Sequence, residues 1–357
     1  NLMRFTGSNS DARMTARGSG MWVFASDDVV AQYNISQHAR GNGDSSGMHV
    51  DYSNKNVLFQ YNYLEDSAGG FCETLGNNDN VIWRYNISVN EGTDARGGKN
   101  NLLWISDYAG NNPVNSKNVF IYNNTIYQGR DYDNAISDSR ILIKSTDLFF
   151  YNNIIQLETG AKLGQKSYSY NVTNSNFRKN ILFGGTINSN FKSKDATRKE
   201  VDPRFIAPGR KHFSGYKILS FSPAKSDAFS FVEPVFPLAG QGIFANITSK
   251  ATKDIFGNPV NLLSTTNIGA DNGTGNSVFP TEASFEAENA TFTGSQVACV
   301  NASGGIAVNV SAAGNSIVFN NINAPQNNTY LVKVYYLNPN MADVKITVNS
   351  DETSVLK

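Results

Sequence analysis

The chain has 357 residues, with 30 basic and 30 acidic side chains that cancel to a formal net charge of +0. That balance argues against a general electrostatic grip on nucleic acid or an anionic membrane and leaves only a local basic cleft open. No window approaches the roughly 18 consecutive apolar residues of a bilayer span, and 40% hydrophobic residues with 22 Phe and 16 Tyr are too many for a disordered chain.

Charged residues make up only 17% of the chain, and Asn, at 47 copies, is the dominant polar residue. Asn competes for backbone hydrogen bonds and is a poor helix former, so the composition predicts an all-β protein. Cys72 and Cys299 stand alone and far apart, which gives neither a disulfide framework nor a zinc pattern. The start at Asn1, without Met or a signal peptide, reads as a processed or partial product.

From the N-terminus, one phrase recurs: an apolar run closed by an aromatic residue and Asn. It ends at Asn34, Asn62, Asn86, Asn123, Asn152 and, in a degenerate copy, Asn180, with spacings of 28, 24, 37, 29 and 28. A period in the twenties with variable insertions is the mark of a solenoid. A second short strand precedes each of the first three copies, at Gly20–Phe24, Gly47–Asp51 and Gly70–Glu73. Alternation turns Met21, Val23, Met48 and Val50 inward and Trp22, Phe24, His49 and Asp51 outward. Asn stacked at equivalent corners can hydrogen-bond from coil to coil and tolerates the left-handed bends found there.

These copies, over roughly residues 18–205, resemble the right-handed parallel β-helix (pectin-lyase-like) superfamily of secreted carbohydrate-active proteins. The resemblance implies a solenoid over residues 1–205, extracellular or cell-surface localisation and a polysaccharide or glycan partner. Asp202-Pro203-Arg204-Phe205, Ser222-Pro223 and Asp254–Pro259 resemble the closing segment of such proteins. Residues 206–275 are therefore expected to lie over the last coils and cover the open edge. After a small-residue linker at 273–281, Phe285-Glu286-Ala287-Glu288 and the short alternating runs behind it resemble a carbohydrate-binding module of the galactose-binding-like type. Residues 282–357 are expected to form a partial, apparently incomplete β-sandwich. The resemblance implies a structural Ca²⁺ on Glu286 and Glu288, which one strand would point the same way.

The expected site is the outward face carrying Trp22, Phe24, His49, Asp51, Cys72 or Glu73, Trp104 and Asp107. Exposed rings beside carboxylates suit a pyranose, whose apolar face stacks while acids work on the linkage. Asp51 and Glu73 form the candidate pair of a glycoside hydrolase, retaining at about 5–5.5 Å and inverting at about 6.5–9.5 Å. His49 beside Asp51 is a candidate general base, and Asp44, Glu65, Asp66 and Asp94 occupy inter-strand loops. A lyase would instead need a basic cleft, for which Arg140, Lys144, Arg84, Arg96 and Lys55 are the candidates. A third alternative is a non-catalytic surface fibre with a glycan-binding module.

Overall fold

The computed structural model describes residues 1–4, 6, 18–39, 45–92, 101–129, 131–132, 135–136, 138–209, 211–260, 266–275, 285–299, 305–310, 312–320, 322, 344–348 and 351–356. The chain is mostly β. A parallel β-solenoid of about five turns spans residues 21–187, and small antiparallel sheets follow it. Two compact units divide the chain, Asn1–Phe279 and Pro280–Lys357. Among the described residues, no helix is long and apolar enough to cross a membrane.

The solenoid has three faces. The first is built from Met21–Val23, Met48–Val50, Phe71–Thr74 and Asn101–Ile105; the second from Asp27–Gln32, Lys55–Gln60, Asp79–Arg84 and Lys117–Tyr122. The third holds Leu2–Arg4, Ile35–Gln37, Tyr63–Glu65, Ile87–Val89, Thr125–Gln128, Ile154–Leu157 and Ile181–Phe183. In the later coils the corner between the first two faces straightens, and the long strands Asp138–Tyr151 and Lys162–Arg178 run through both. Val50, Phe59, Phe71, Trp83, Ile105, Ile121, Ile143 and Phe150 point inward from successive coils and share one core. Phe59 and Phe71 each meet the Trp83 ring edge-on at 4.8 and 5.5 Å.

An internal Asn ladder closes the corner between the second and third faces. The backbone N–H and Nδ2 of Asn34 both donate to Asn62 Oδ1, and the same double bond repeats from Asn62 to Asn86, Asn124, Asn153 and Asn180. It ends on Asp195 Oδ2, which accepts both donors of Asn180. The ladder lies one residue later than expected in the fourth and fifth copies. Asn123 and Asn152 instead take the left-handed corner (φ 52° and 54°) that Tyr33, Tyr61 and Tyr85 occupy earlier (φ 56°, 57° and 52°).

The closing segment reaches beyond the last coils. The short helix Ser189–Lys192 covers the end of the core by placing Phe191 against Phe150 and Phe177. Residues 205–209, 211–260 and 266–275 lie along the outside of the solenoid, on the last coils and on earlier ones. Phe205, Tyr216, Ile218 and Ile268 pack on Tyr63, Ile87, Tyr127 and Ile154 of the third face. Phe236, Ile247 and Val260 pack on Leu58, Ile82 and Tyr122 of the second. Those faces expose apolar rows to the outside, and burying them outweighs capping a single terminal rung. A buried guanidinium pins this strap: Arg84 donates to Gln60, Tyr122 and Glu233 and to the carbonyls of Thr248 and Ser249.

In the second unit, Thr291–Phe292 pairs antiparallel with Ile317–Val318, Ser295–Ala298 with Ile306–Asn309, and Val344–Val348 with Asp351–Leu356. The expected Glu-Ala-Glu strand is absent. Ala287–Asn289 is a 3₁₀ helix with Glu286 at its N-cap. At three residues per turn, Glu286 and Glu288 no longer share one face of a strand.

Candidate functional site

The strap's packing on the second and third faces leaves the first as the place to look for a ligand surface. Trp22 and Phe24 stand out from it, 58% and 46% exposed. The ladder register places Trp22 beside His49 and His49 beside Glu73, so the three follow one another up three coils. Trp22 stacks on the imidazole with ring centroids 6.2 Å apart.

A bulge decides the direction of Glu73. Leu103 pairs with Phe71 and Ile105 with Thr74, so the two residues Cys72 and Glu73 stand opposite Trp104 alone. Cys72 absorbs the extra residue with φ +60° and turns into the core, where burial pushes its thiol pKa well up. Phe71 also points into the core and Thr74 accepts from Trp83 Nε1, which leaves Glu73 on the outward side.

Asp51 and Glu73 do not face each other as a simple adjacent-coil pair; His49 lies between them. Its Nε2 is 3.9 Å from Asp51 Oδ2 and its Nδ1 is 3.8 Å from Glu73 Oε2. Ser19 Oγ lies 3.0 Å from Nδ1, Ser46 Oγ donates to Glu73 Oε2, and Tyr52 N–H donates to Asp51 Oδ1 at 2.9 Å. The Asp51 side chain is 21% exposed, against 4% for His49 and 0% for Glu73. A ligand on this face therefore meets Asp51, while Glu73 lies beneath on the Nδ1 side of the ring and Ser19 Oγ contacts Nδ1. An imidazole bracketed in this way can carry a proton between carboxylates.

Trp104 is half-buried on the outward side, with Leu103 and Ile105 turned into the core. Arg140 and Lys144 also point outward, and Lys144 forms an ion pair with Asp107. Gly76 makes room for Asp107: a Cβ there would sit 2.5 Å from Val114 O and 2.6 Å from the Asp107 carbonyl. Of the basic residues expected of a lyase, Arg140 and Lys144 share the first face, and among the described residues Arg84 and Lys55 do not join them. Arg84 is buried on the second face under the strap, and Lys55 opens a strand of that same face. Asp44, Asp94 and Arg96 lie outside the described residues. Glu65 and Asp66 are buried at the corner after the third face, away from this row.

Sequence reasoning missed Tyr52 and Tyr108. The Tyr52 ring meets Phe24 edge-on at 4.8 Å and Tyr108 edge-on at 5.6 Å, which forms an aromatic row beside the two carboxylates. The available signal was the recurring dipeptide Asp51-Tyr52 and Asp107-Tyr108. No family model matches the chain, and no curated protein matches it.

Proposed function

We propose that this chain is a secreted, polysaccharide-directed glycoside hydrolase acting on the first face of the solenoid. The observation that carries the reading is the His49 imidazole between Asp51 and Glu73, beside an exposed aromatic row. The two partly exposed carboxylates there are Asp51 and Asp107, with side chains 21% and 22% exposed. They belong to strand ends two coils apart, roughly 9–10 Å at about 4.8 Å per coil. That backbone spacing sits at the wide end of the inverting range of about 6.5–9.5 Å and well outside the retaining one.

In this reading Asp51 protonates the leaving oxygen and is resupplied through His49. Asp107, oriented by Lys144, takes a proton from the attacking water. Glu73 is a positioning residue because it is fully buried. Trp22, Phe24, Tyr52 and Tyr108 stack sugar rings, with Trp104 and Arg140 further along the face. Elimination has less support, since Arg84 is committed to the strap and Lys144 to Asp107. The unit Pro280–Lys357 is, in the same reading, a glycan-binding module.

The test is a panel of neutral and acidic polysaccharides, following new reducing ends and unsaturated-uronate absorbance together. Reducing ends alone, lost in Asp51→Asn and Asp107→Asn with thermal unfolding unchanged, are the expected result. Absorbance rising with the reducing ends overturns hydrolysis in favour of elimination, and silence on both channels favours a structural or binding role.

A further inference from the structure

A second constellation lies outside the first-face site. It occupies the corner where the third face ends, and its parts recur in phase with the Asn ladder. His38, Asp66 and Asn90 each follow a ladder Asn (Asn34, Asn62, Asn86) by four residues, and all three take the left-handed conformation (φ 58°, 53° and 55°). His38 N–H donates to Glu65 O and Asp66 N–H to Val89 O, both at 2.9 Å, which ties the corner into the ladder. His38 and Asp66 are thereby held one coil apart, with Glu65 immediately before Asp66.

The side chains converge. One donor atom from each of His38, Glu65 and Asp66 lies within 4.8 Å of the other two. Glu65 and Asp66 are 2% and 1% exposed. Gln37 Nε2 and Tyr63 Oη donate to Glu65 Oε2 at 3.0 and 2.7 Å, so Oε1 is the oxygen turned toward the imidazole. His38 Nε2 is 3.9 Å from Glu65 Oε1, and Nδ1 is 3.8 Å from Asp66 Oδ2. These separations exceed the roughly 2.7–3.2 Å of hydrogen bonds. The two separations belong to different ring nitrogens, of which one ion takes one; a set on a single nitrogen spans up to 4.8 Å and has to close to the roughly 3–3.6 Å between ligand atoms that each lie about 2.0–2.2 Å from one ion.

We infer that His38, Glu65 and Asp66 form a binding site for a divalent first-row transition ion such as Zn²⁺ or Mn²⁺. One imidazole nitrogen and two carboxylate oxygens are its protein ligands, and water completes the sphere. The imidazole disfavours Ca²⁺ and Mg²⁺, which take oxygen sets. Gln37 and Tyr63 hold Glu65 as outer-shell partners hold metal ligands elsewhere. The ammonium of Lys211, 57% exposed, donates to Asp66 Oδ2 and carries part of the countercharge. The ion replaces that ammonium, and Lys211 swings to solvent.

The experiment uses the full chain, stripped with EDTA, dialysed and titrated separately with Zn²⁺, Mn²⁺ and Ca²⁺ by calorimetry. Saturable one-to-one binding of Zn²⁺ or Mn²⁺ is expected, with a rise in unfolding temperature. His38→Asn should weaken it at least tenfold and remove the thermal shift. Asn is the conservative choice because Asn90 holds the same corner conformation one coil on. Lys211→Met should tighten binding at least tenfold. No saturable binding, a preference for Ca²⁺, or equal affinity in wild type and His38→Asn overturns the site. An unchanged affinity in Lys211→Met overturns the exchange with the ammonium.

Discussion

Asn124→Ala tests whether the internal Asn ladder holds the solenoid together. Asn124 is fully buried, and its Oδ1 accepts Asn86 N–H and Asn86 Nδ2–H, both at 3.0 Å. Its Nδ2 donates to Trp83 O at 2.9 Å and to Asn153 Oδ1 at 3.1 Å. Alanine leaves Asn86 N–H and one of the two Asn86 Nδ2 hydrogens without an acceptor in a dry corner, the other Nδ2 hydrogen keeping Phe59 O. Each orphaned group costs about 1–3 kcal/mol, so the change should cost about 2–6 kcal/mol. That is a large part of the roughly 5–15 kcal/mol that separates a folded domain from its unfolded chain. Backbone strain does not confound the substitution, because the left-handed residue at this corner is Asn123, not Asn124.

The control lies on the outside of the same solenoid. Asn56 is also left-handed (φ 55°) and also forms a ladder, accepting from Asn80 and donating to Asp28 at 2.9 Å, but it is only partly buried. Asn56→Gly keeps the backbone free to bend and lets water replace both bonds, so the cost should stay below about 1 kcal/mol. Urea unfolding followed by both fluorescence and far-UV circular dichroism measures the two, since only coincident transitions allow a free energy to be extracted from a repeat architecture. An Asn124→Ala midpoint within 1 kcal/mol of wild type, or an equal loss from Asn56→Gly, would refute the claim that burial gives the ladder its strength.

The remaining predictions concern the strap and pH. Arg84→Met removes the cation beside Glu233, which keeps Tyr122 and Ala251 as donors, and the donor to two strap carbonyls, so it should cost about 3–5 kcal/mol and expose residues 228–260 to limited proteolysis before the solenoid opens. An unchanged cleavage pattern would show that apolar packing alone holds the strap. Burial pushes the Glu91 carboxyl up to about 8 against the backbone N–H groups of Ser67 and Gly47 that favour its charge, and pushes Asp271 up to about 6. Both groups keep a proton in the folded state that the unfolded chain has released. They therefore lower stability as pH rises from the ordinary carboxyl range, Asp271 through about 6 and Glu91 through about 8, by on the order of a few kcal/mol. Thermal unfolding between pH 4 and 9 should show that decline. Glu91→Gln, whatever its fixed cost, should flatten its upper half; an unaltered slope would exclude Glu91 as the source.

Much of the solenoid is legible because its physics is local. An apolar strand, a left-handed corner and a ladder Asn recur at each coil, and each leaves its mark within six residues. The one-residue slip at Asn123 and Asn152 arises because those copies read Asn-Asn, and Asn satisfies both the corner conformation and the ladder. Sequence cannot say which of the two residues does which. The direction of Glu73 was undetermined for another reason. The loop from Asn34 to His49 is four residues longer than that from Asn62 to Glu73, and the bulge at Cys72 then consumes one more residue. The course of the strap depends on apolar rows far away in sequence, such as Leu58, which shares a cluster with Phe236 and Ile247 178 and 189 residues later, and no local pattern encodes that pairing.

The strap bears on function through what it leaves exposed. A three-sided solenoid has three outer faces, and two of these present apolar rows, Tyr63, Ile87 and Ile154 on one and Leu58, Ile82 and Phe120 on the other. The outward positions of the first face read differently: Trp22, His49, Glu73, Trp104, Arg140 and Lys144. The charges that keep water on this side, Asp51, Asp107 and Lys144, would lose it under a strap, while His49 and Glu73 are already buried beneath them. The strap and the candidate site therefore have one cause, the contrast between apolar and mixed outward rows. Alternation along each strand already exposes that contrast in the sequence. Replacing the row's polar members with aliphatic residues should remove the site and also create a face that recruits another apolar surface, which a concentration-dependent increase in mass in light scattering would reveal.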